Sequence, residues 1–317
     1  MKWQLFCVYI TIMKNQLELC NLCHRNCGVN RHAKQTGFCG MTDELRIARA
    51  ALHFWEEPCI SGTNGSGAVF FSGCSLRCIY CQNHEIANGN RGIAVSDERL
   101  SDIFLELQEQ GAHNINLVTP GHYIPQIKEA LLRAKEFGLS VPIVYNTGSY
   151  ENPEALKTLE GLVDIYLPDF KYMDSKLAQA YSKAPDYPAV AQAAIAEMVR
   201  QTGPCRFEAE PGESLMTRGT MVRHLVLPGA LDNSKQVLEY LYRTYGNRIY
   251  ISLMNQYTPL KRIEAYPQLN RKVTEEEFEE VFSYLCDLGI ENGYVQEGET
   301  AEESFIPSFD GEGVIAK

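Results

Sequence analysis

From residue 68 onward, short apolar runs alternate with longer amphipathic stretches, and the alternation repeats six times. The apolar runs are rich in β-branched and aromatic residues and show little polar alternation, which is typical of strands buried on both faces. The predicted strands cover residues 68–72, 114–119, 141–146, 163–169, 221–227 and 248–254. The predicted helices cover residues 97–110, 123–137, 153–160, 173–181, 187–202, 233–245 and 274–288.

Strand–helix alternation of this kind predicts a parallel sheet. Three of the helices begin with good capping residues, at Ser96, Asn152 and Thr274. Six strand–helix units are too few to close an eight-stranded barrel. We therefore expect an α/β fold in the form of an open, partial (β/α)6 TIM-like barrel.

Composition excludes several classes of partner. The 317 residues carry a net charge of −11, which argues against nucleic acid because a nucleic-acid partner would need a basic face. The apolar start, residues 1–12, is shorter than a membrane span and has no small-residue cleavage site after it. We interpret residues 1–13 as a disordered leader or a wrongly assigned start, and expect a cytoplasmic protein without a membrane partner.

Eleven cysteines are many for such a chain, and seven of them fall in two groups, at residues 20–39 and 74–81. Without a signal peptide, metal ligation in a reducing compartment is favoured over disulfides. The other four cysteines are interpreted as ordinary thiols, which often behave as small buried apolar residues. These four are Cys7, Cys59, Cys205 and Cys286.

The second group lies on one tight loop directly after the first predicted strand. Cys74, Cys78 and Cys81 have the spacing C-x3-C-x2-C, and Gly73 allows a sharp turn before the first sulfur. A 4Fe–4S cluster normally takes four cysteine ligands. Three thiolates therefore predict a cluster in which one iron stays open to a small molecule.

The first group forms a small cysteine-rich segment, expected at residues 14–60. Its spacing is C-x2-C-x3-C-x11-C, and four ligands make a closed site for either a structural zinc or a second iron–sulfur cluster. The four ligands are Cys20, Cys23, Cys27 and Cys39. His24 and His32 are alternative ligands, although exposed loop histidines are the simpler interpretation. The stretch 58–67 is rich in turn formers and predicts a flexible connector to the core at 61–295.

Polar side chains collect where the predicted strands end. Since the carboxyl ends of parallel strands meet at one mouth of a barrel, these side chains are expected to surround a ligand. Each alone could equally cap a turn. The set comprises Thr119, His122, Asn146, Thr147, Asp169, Lys171, Arg223, Gln256 and Tyr257.

The last stretch, 296–317, is an acidic tail. The apolar residues Phe305, Ile306, Pro307 and Phe309 predict either docking on the open side of the barrel or a solvated end.

Together these motifs resemble the radical S-adenosylmethionine (SAM) superfamily, in which an aromatic residue, here Tyr80, precedes the last cysteine of the loop. Within it the chain looks like the branch related to pyruvate formate-lyase-activating enzyme. The similar segments are C-x-L-C-x-R-x-C-G-V-N-R, T-P-x-H, Y-N-T, P-D-F-K-Y, R-H-L-V-L-P-G and M-N-Q-Y.

The resemblance implies a chemistry that the cofactor carries and the protein orients. SAM would chelate the open iron, and the reduced cluster would cleave it to methionine and a 5′-deoxyadenosyl radical that abstracts a hydrogen atom. A flavodoxin or ferredoxin would supply the electron, as in similar enzymes.

Site roles carry over residue by residue. Asp169 and Lys171 match a D-x-K motif that helps to hold SAM, and Asn146-Thr147 matches a D-T position near the same site. Tyr257 falls where the activating enzymes carry a histidine close to the adenosine. Phe71 and Ile79 would flank the cluster or the adenine, or only pack in the core.

One departure concerns the SAM amino group. The activating enzymes bind it with G-G-E after the second strand, whereas this chain has Thr119-Pro120-Gly121-His122, which offers no carboxylate. Either Thr119 and neighbouring carbonyls take the amino group, or SAM binds differently in detail. His122 is expected to contact the ligand or to be a structural hydrogen-bonded residue.

Three functions are compatible with these features. The first is an activase that abstracts hydrogen from a glycine of a partner glycyl-radical enzyme, which rests on family likeness. The second is a radical SAM enzyme that modifies a peptide or small molecule and uses the 20–39 cysteines as an auxiliary electron site. The third is a non-enzymatic iron–sulfur or zinc scaffold, against which the polar residues at the strand ends argue.

Overall fold

The computed structural model describes residues 16–89, 91–210, 212–260, 262–296 and 307–316. Its strands are β1 Arg46–His53, β2 Ser66–Phe71, β3 Ile93–Ala94, β4 Ile115–Val118, β5 Ile143–Thr147, β6 Ile165–Pro168, β7 Arg206–Glu210, β8 Glu213–Leu225, β9 Tyr250–Met254 and β10 Gly293–Val295. Its α-helices are α1 Pro58–Ser61, α2 His84–Ala87, α3 Asp97–Glu109, α4 Ile124–Glu136, α5 Pro153–Lys157, α6 Ser175–Ser182, α7 Tyr187–Thr202, α8 Leu231–Tyr245 and α9 Glu275–Leu288. Short 3-10 turns lie at Gly121–Tyr123, Gly246–Arg248 and Pro267–Asn270.

The strands form one sheet in the order β10-β9-β8-β6-β5-β4-β2-β1-β3, and β7 pairs with β8 off this path. Neighbours from β2 to β10 run parallel, whereas β1 and β3 form an antiparallel edge. Within the described residues, the two end strands β10 and β3 do not pair with each other. The predicted α/β fold with an open, partial barrel is therefore confirmed.

The central strands are buried along their whole length, as their continuous apolar sequences predicted. Every residue of β2, β4, β5 and β6 is buried. Helices on the outside cover one face, and the other face surrounds the barrel interior. The predicted caps are also present, since Ser96, Asn152 and Thr274 each accept a hydrogen bond from a backbone N–H of the first helical turn.

Three local predictions were wrong. The stretch 58–67 is not a flexible connector, because it forms α1 and the first residues of β2. The strand predicted at 221–227 begins earlier, at Glu213, because its first half pairs with β7 in a hairpin. A seventh parallel strand, β10, was missed, since three residues are too few to show a periodicity.

The cysteine-rich segment packs on the barrel rather than standing apart. Strand β1 pairs with β2 across the predicted boundary, and Cys39, Met41 and Leu45 belong to the same apolar core as the first strands and helices. The division into 14–60 and 61–295 stays a prediction. The leader 1–13 lies outside the described residues, as do Cys7, Phe305 and Ile306.

The described part of the tail, 307–316, docks on β1. Phe309 packs edge-on against Phe70, and Val314 is fully buried. The Ala50 N–H donates to the Glu312 carbonyl over 2.8 Å. This confirms docking rather than a solvated end for these residues. Among the described helices, none has the length and apolar character needed to span a bilayer.

Candidate functional site

A cavity of about 250 Å³ lies at the carboxyl ends of the parallel strands. Its wall contains the three cysteines of the C-x3-C-x2-C loop and nearly all the polar residues predicted from the strand ends. These are Cys74, Cys78, Cys81, Tyr80, Thr119, His122, Asn146, Thr147, Asp169, Lys171, Arg223 and Gln256. The structure therefore brings together residues that are spread over more than 180 positions of the sequence.

The cysteine loop leaves β2 through a turn that only glycine allows without strain. Gly73 has a φ of 90°, and a Cβ atom there would lie 2.4 Å from the side chain of Met41. The Leu76 N–H donates to Cys74 Sγ over 3.3 Å, and the Ser182 hydroxyl donates to Cys78 Sγ over 3.0 Å. Such donors stabilise sulfur that carries negative charge.

All three cysteines of this loop are half-buried. For two of them, burial of the sulfur raises the pKa, above its ordinary value for Cys74 and to about 12 for Cys81. Without a metal these groups are neutral thiols, whereas metal coordination deprotonates a thiol outright. In the described part of the chain, no three Cys, His, Asp or Glu side chains converge as ligands of a single metal ion. A 4Fe–4S cluster spreads its thiolates over separate irons, so its ligands need not converge on one point.

Opposite the cysteines, Arg223 on β8 organises a buried polar network. Its guanidinium donates to Asp169 Oδ1 over 2.9 Å, to Glu56 Oε2 over 2.9 Å and to Asn146 Oδ1 over 2.7 Å. Lys171 Nζ donates to the other oxygen of Asp169 over 2.6 Å. Two cations and two carboxylates thus pair with one another in the cavity wall.

Burial acts against the charged form of every member of this network. It pushes the pKa of Asp169 up, but Arg223 and Lys171 outweigh it and hold the pKa below its ordinary value. Burial likewise works to lower the pKa of Lys171, which the neighbouring Asp169 carboxylate instead holds above its ordinary value. Both groups are therefore charged at neutral pH.

The loop after β4 has a strained backbone at the cavity. Thr119 has a φ of 60°, which is rare for a β-branched residue. His122 is buried, and its Nε2 donates to the Ser72 carbonyl over 2.7 Å. Burial lowers the pKa of His122 to about 3, so the ring is neutral. His122 thus lines the cavity and also supports the cysteine loop as a hydrogen-bonded residue, while its contact with a ligand stays a prediction.

Two carboxylates of the cavity were missed. Glu56 comes from the segment after β1, and its Oε1 accepts from Asn116 and Asn146. Glu151 follows β5 by four residues, and its Oε1 accepts from the Thr147 hydroxyl over 2.5 Å. The Thr119–His122 loop itself has no carboxylate, but Glu151 lies against it. The sequence signal that could have indicated Glu151 was its position shortly after Asn146-Thr147.

Glu151 is tightly enclosed. It is 3% exposed, and a Cβ atom on Gly121 would lie 2.2 Å from its Oε2. In the described structure Oε2 has no hydrogen-bond partner. Burial raises the pKa of Glu151 to about 7.

Tyr257 is the predicted residue that the structure does not bring into the cavity. Its hydroxyl donates to the Leu269 carbonyl over 2.7 Å, and its ring packs edge-on against Tyr80 at 6.1 Å. Tyr257 and Ile79 line a small separate pocket on the other side of Tyr80. Phe71 is fully buried in the core against Tyr123.

The first cysteine group is compact. Cys20, Cys23 and Cys39 are buried, Cys27 is half-buried, and the Phe38 N–H donates to Cys27 Sγ over 3.4 Å. The two neighbouring histidines are engaged at the surface. His24 contacts Asp186 at 3.2 Å, and His32 contacts Asp43 at 3.1 Å.

Comparisons with known proteins agree with this geometry. The radical SAM superfamily model matches residues 68–205, which include most of β2, the cysteine loop and strands β3 to β6. An uncharacterised protein of Methanocaldococcus jannaschii is 26% identical over 293 residues, which cover 88% of this chain and 79% of that protein.

Two solved structures have similar folds. Streptococcus suis SuiB bound to S-adenosylmethionine is 13% identical, with a TM-score of 0.48, covering 71% of this chain and 48% of that one. This chain thus spans about half the length of SuiB. A domain of pyruvate-formate lyase-activating enzyme from Bacteroides vulgatus is 15% identical, with a TM-score of 0.38, covering 55% of this chain and 92% of that one.

The family match thus falls on the segment that contributes the cysteine loop and the carboxyl ends of β4, β5 and β6 to the cavity. Radical SAM proteins use a 4Fe–4S cluster and SAM. On this match, residues 68–205 are similar to the radical SAM superfamily.

Proposed function

We propose that this protein is a radical SAM enzyme whose cluster is held by Cys74, Cys78 and Cys81 and whose SAM lies in the adjoining cavity. The observation that supports it is the placement of three half-buried cysteines and the polar strand ends around one space. When bound, the cluster and SAM supply one-electron cleavage of the cofactor and the hydrogen-atom abstraction that follows. A scaffold without activity would not need such a cavity.

The residues of the cavity fit this cofactor. Lys171 is a cation in the cavity wall and suits the SAM carboxylate. The neighbouring Asp169 keeps the lysine charged and oriented. Arg223 and Asn146 are occupied by each other and by carboxylates, so we assign them to positioning. The remaining lining residues Tyr80, Thr119, His122, Thr147 and Gln256 are proposed to contact SAM.

The cysteines at 20–39 are proposed to hold a second iron–sulfur cluster rather than zinc. The carbonyl of Cys39 lies 2.9 Å from the position of a Cβ on Gly73, the residue before Cys74. A second cluster would therefore lie next to the first and suit an auxiliary electron site.

For the reaction itself we propose a glycyl-radical-enzyme activase, supported by the sequence resemblance to pyruvate formate-lyase-activating enzyme. Modification of a peptide or small molecule is the second candidate, and the closeness of the two cysteine groups favours it. In both cases a flavodoxin or ferredoxin would be the reductant.

The test uses anaerobically reconstituted protein with dithionite and SAM. We expect 5′-deoxyadenosine from the wild type and from Cys286→Ala, whose thiol is exposed and remote, but none from Cys78→Ala. Absence of product in the wild type would refute the proposed enzyme. An iron content of about eight per chain supports two clusters, whereas about four with one zinc contradicts the second.

The partner requires a separate measurement. A glycyl-radical EPR signal on a co-purified protein would support the activase. Turnover of a peptide or small molecule without such a signal would support the second candidate.

A further inference from the structure

We propose that Glu151 accepts a hydrogen bond from the α-amino group of SAM, so that a residue of the loop after β5 supplies the carboxylate that the Thr119–His122 loop lacks. This inference rests on the proposed function, because it takes SAM as the ligand of the cavity.

The first argument is the charge balance of the cavity wall. In the described residues that line it, the carboxylates are Glu56, Asp169 and Glu151. Arg223 pairs with the first two, and Lys171 also pairs with Asp169. Glu151 alone faces the cavity without a cation beside it, and an unpaired buried carboxylate is costly to keep. An N–H donor of a ligand would supply the hydrogen-bond partner that its Oε2 lacks among the described residues.

The second argument is the shape of the wall around this carboxylate. The Thr147 hydroxyl fixes Oε1, while Oε2 has no partner in the described structure. Gly121 leaves the room that the carboxylate occupies, since any larger residue would overlap with it. Thr147, Glu151 and Gly121 thus form the site together, and Glu151 Oε2 is the oxygen that is available to a ligand.

The third argument is the placement relative to the cysteine loop. Glu151 belongs to the same loop as Gly148, where a Cβ atom would lie 2.8 Å from Leu76 in the cysteine loop. A ligand that bridges the cysteines and Lys171 therefore passes this loop. SAM offers two groups that could interact with a carboxylate, the N–H donors of the amino group and the positive charge of the sulfonium, and a test must separate them.

The experiment measures binding to anaerobically reconstituted protein without reductant, by calorimetry. The two ligands are SAM and an analogue in which hydrogen replaces the amino group and the sulfonium is kept. The proteins are wild type, Glu151→Gln and the control Glu154→Gln, whose carboxylate is exposed and pairs with Lys157 at the surface. Iron content and thermal unfolding of each protein show whether the variants are intact.

We expect Glu151→Gln to bind SAM about 10- to 100-fold more weakly, because a hydrogen bond from the amino group to a buried carboxylate is lost. The analogue should bind the wild type and this variant equally, and Glu154→Gln should match the wild type. Chelation of iron by the amino group is common to all three proteins and cancels in the comparison.

Unchanged SAM affinity in Glu151→Gln overturns the inference and leaves the proposed function standing. An equal loss for both ligands overturns it as well, because Glu151 would then act on the sulfonium or on the fold. Failure of SAM to bind the wild type refutes both proposals. If Glu151→Gln does not take up iron, Glu151→Asp replaces it and should lose SAM affinity alone; equal affinity for SAM would contradict the assignment.

Discussion

Replacing Arg223 with methionine removes the cation that joins two buried carboxylates. The Arg223 side chain is 14% exposed, and the carboxylates of Glu56 and Asp169 are comparably buried. After the change Asp169 keeps Lys171, but Glu56 keeps only the amides of Asn116 and Asn146, at 3.1 and 3.2 Å. The main cost is therefore an uncompensated charge at Glu56.

Removal of one partner from a buried ion pair costs about 3–5 kcal/mol. Because amide donors still solvate Glu56 and Lys171 still neutralises Asp169, we expect the lower end, about 3 kcal/mol. For a chain of 317 residues, whose unfolding entropy is about 0.67 kcal/mol/K, that corresponds to a fall in Tm of roughly 4–5 °C. Thermal unfolding of reconstituted protein measures it.

The matched control is Arg218→Met on the same strand. Arg218 is also partly buried, but it donates to the backbone carbonyls of Gln201 and Thr202 and, among the described side chains, contacts no carboxylate. Its replacement should cost about 1–2 kcal/mol. If Arg223→Met costs no more than this control, the charge argument is refuted. The double variant Glu56→Gln with Arg223→Met should recover part of the loss, since it removes the unpaired carboxylate.

The pH dependence of the unfolding free energy tests whether Arg223 stabilises the protein through its charge. Although burial raises it, the pKa of Asp169 is held below its ordinary 3.8 by Arg223 and Lys171. A lowered folded-state pKa contributes stability above the unfolded value and loses it as the pH falls through the folded value. The difference in unfolding free energy between wild type and Arg223→Met should therefore be largest at neutral pH. It should become smaller as the pH approaches 3.8 and falls below it. A difference that does not change in this range would indicate lost packing instead of lost charge.

Other predictions concern single contacts. Ser182→Ala removes a hydrogen bond to Cys78 and should make the cluster potential more negative, which EPR-monitored redox titration would show; an unchanged potential counts against the contact. The pKa of Glu277 is lowered to about 2, chiefly by its hydrogen bonds to an arginine, so Glu277→Gln should destabilise the protein at neutral pH and flatten the loss of stability that the wild type shows from pH 4.5 to about 2 in acid unfolding. Gly121→Ala should cost about 1–3 kcal/mol in thermal unfolding by overlap with Glu151, and Glu151→Ala in the same chain should relieve it.

The sequence predicted the cavity because strand ends obey a simple rule. In a parallel sheet the carboxyl ends of all strands meet at one edge, so the positions of Asn146, Asp169 and Arg223 along the chain were enough to bring them together. Lys171, which pairs with Asp169, was predicted as well, since it lies two residues further along the chain. No knowledge of loop paths was needed for this part of the site.

Glu56 and Glu151 could not be predicted in the same way. Both lie outside the strands, and no periodicity indicates where a loop side chain points. Glu56 reaches the interior only because β1 runs antiparallel to β2 and returns the chain to the barrel. The prediction that Tyr257 lies in the cavity was wrong for the opposite reason. Tyr257 does follow a strand end, but the chain places its ring behind Tyr80.

Arg31 adds an argument for a charged metal centre at the first cysteine group. It is fully buried, and its guanidinium donates to the backbone carbonyls of Thr42 and His122. In the described chain Arg31 has no carboxylate partner, so its charge must be balanced otherwise. Burial raises the pKa of Cys39, but Arg31 acts to lower it, which places the guanidinium within electrostatic reach of that sulfur. Thiolates bound to metal would supply the missing negative charge, whereas four neutral thiols would leave a buried cation uncompensated.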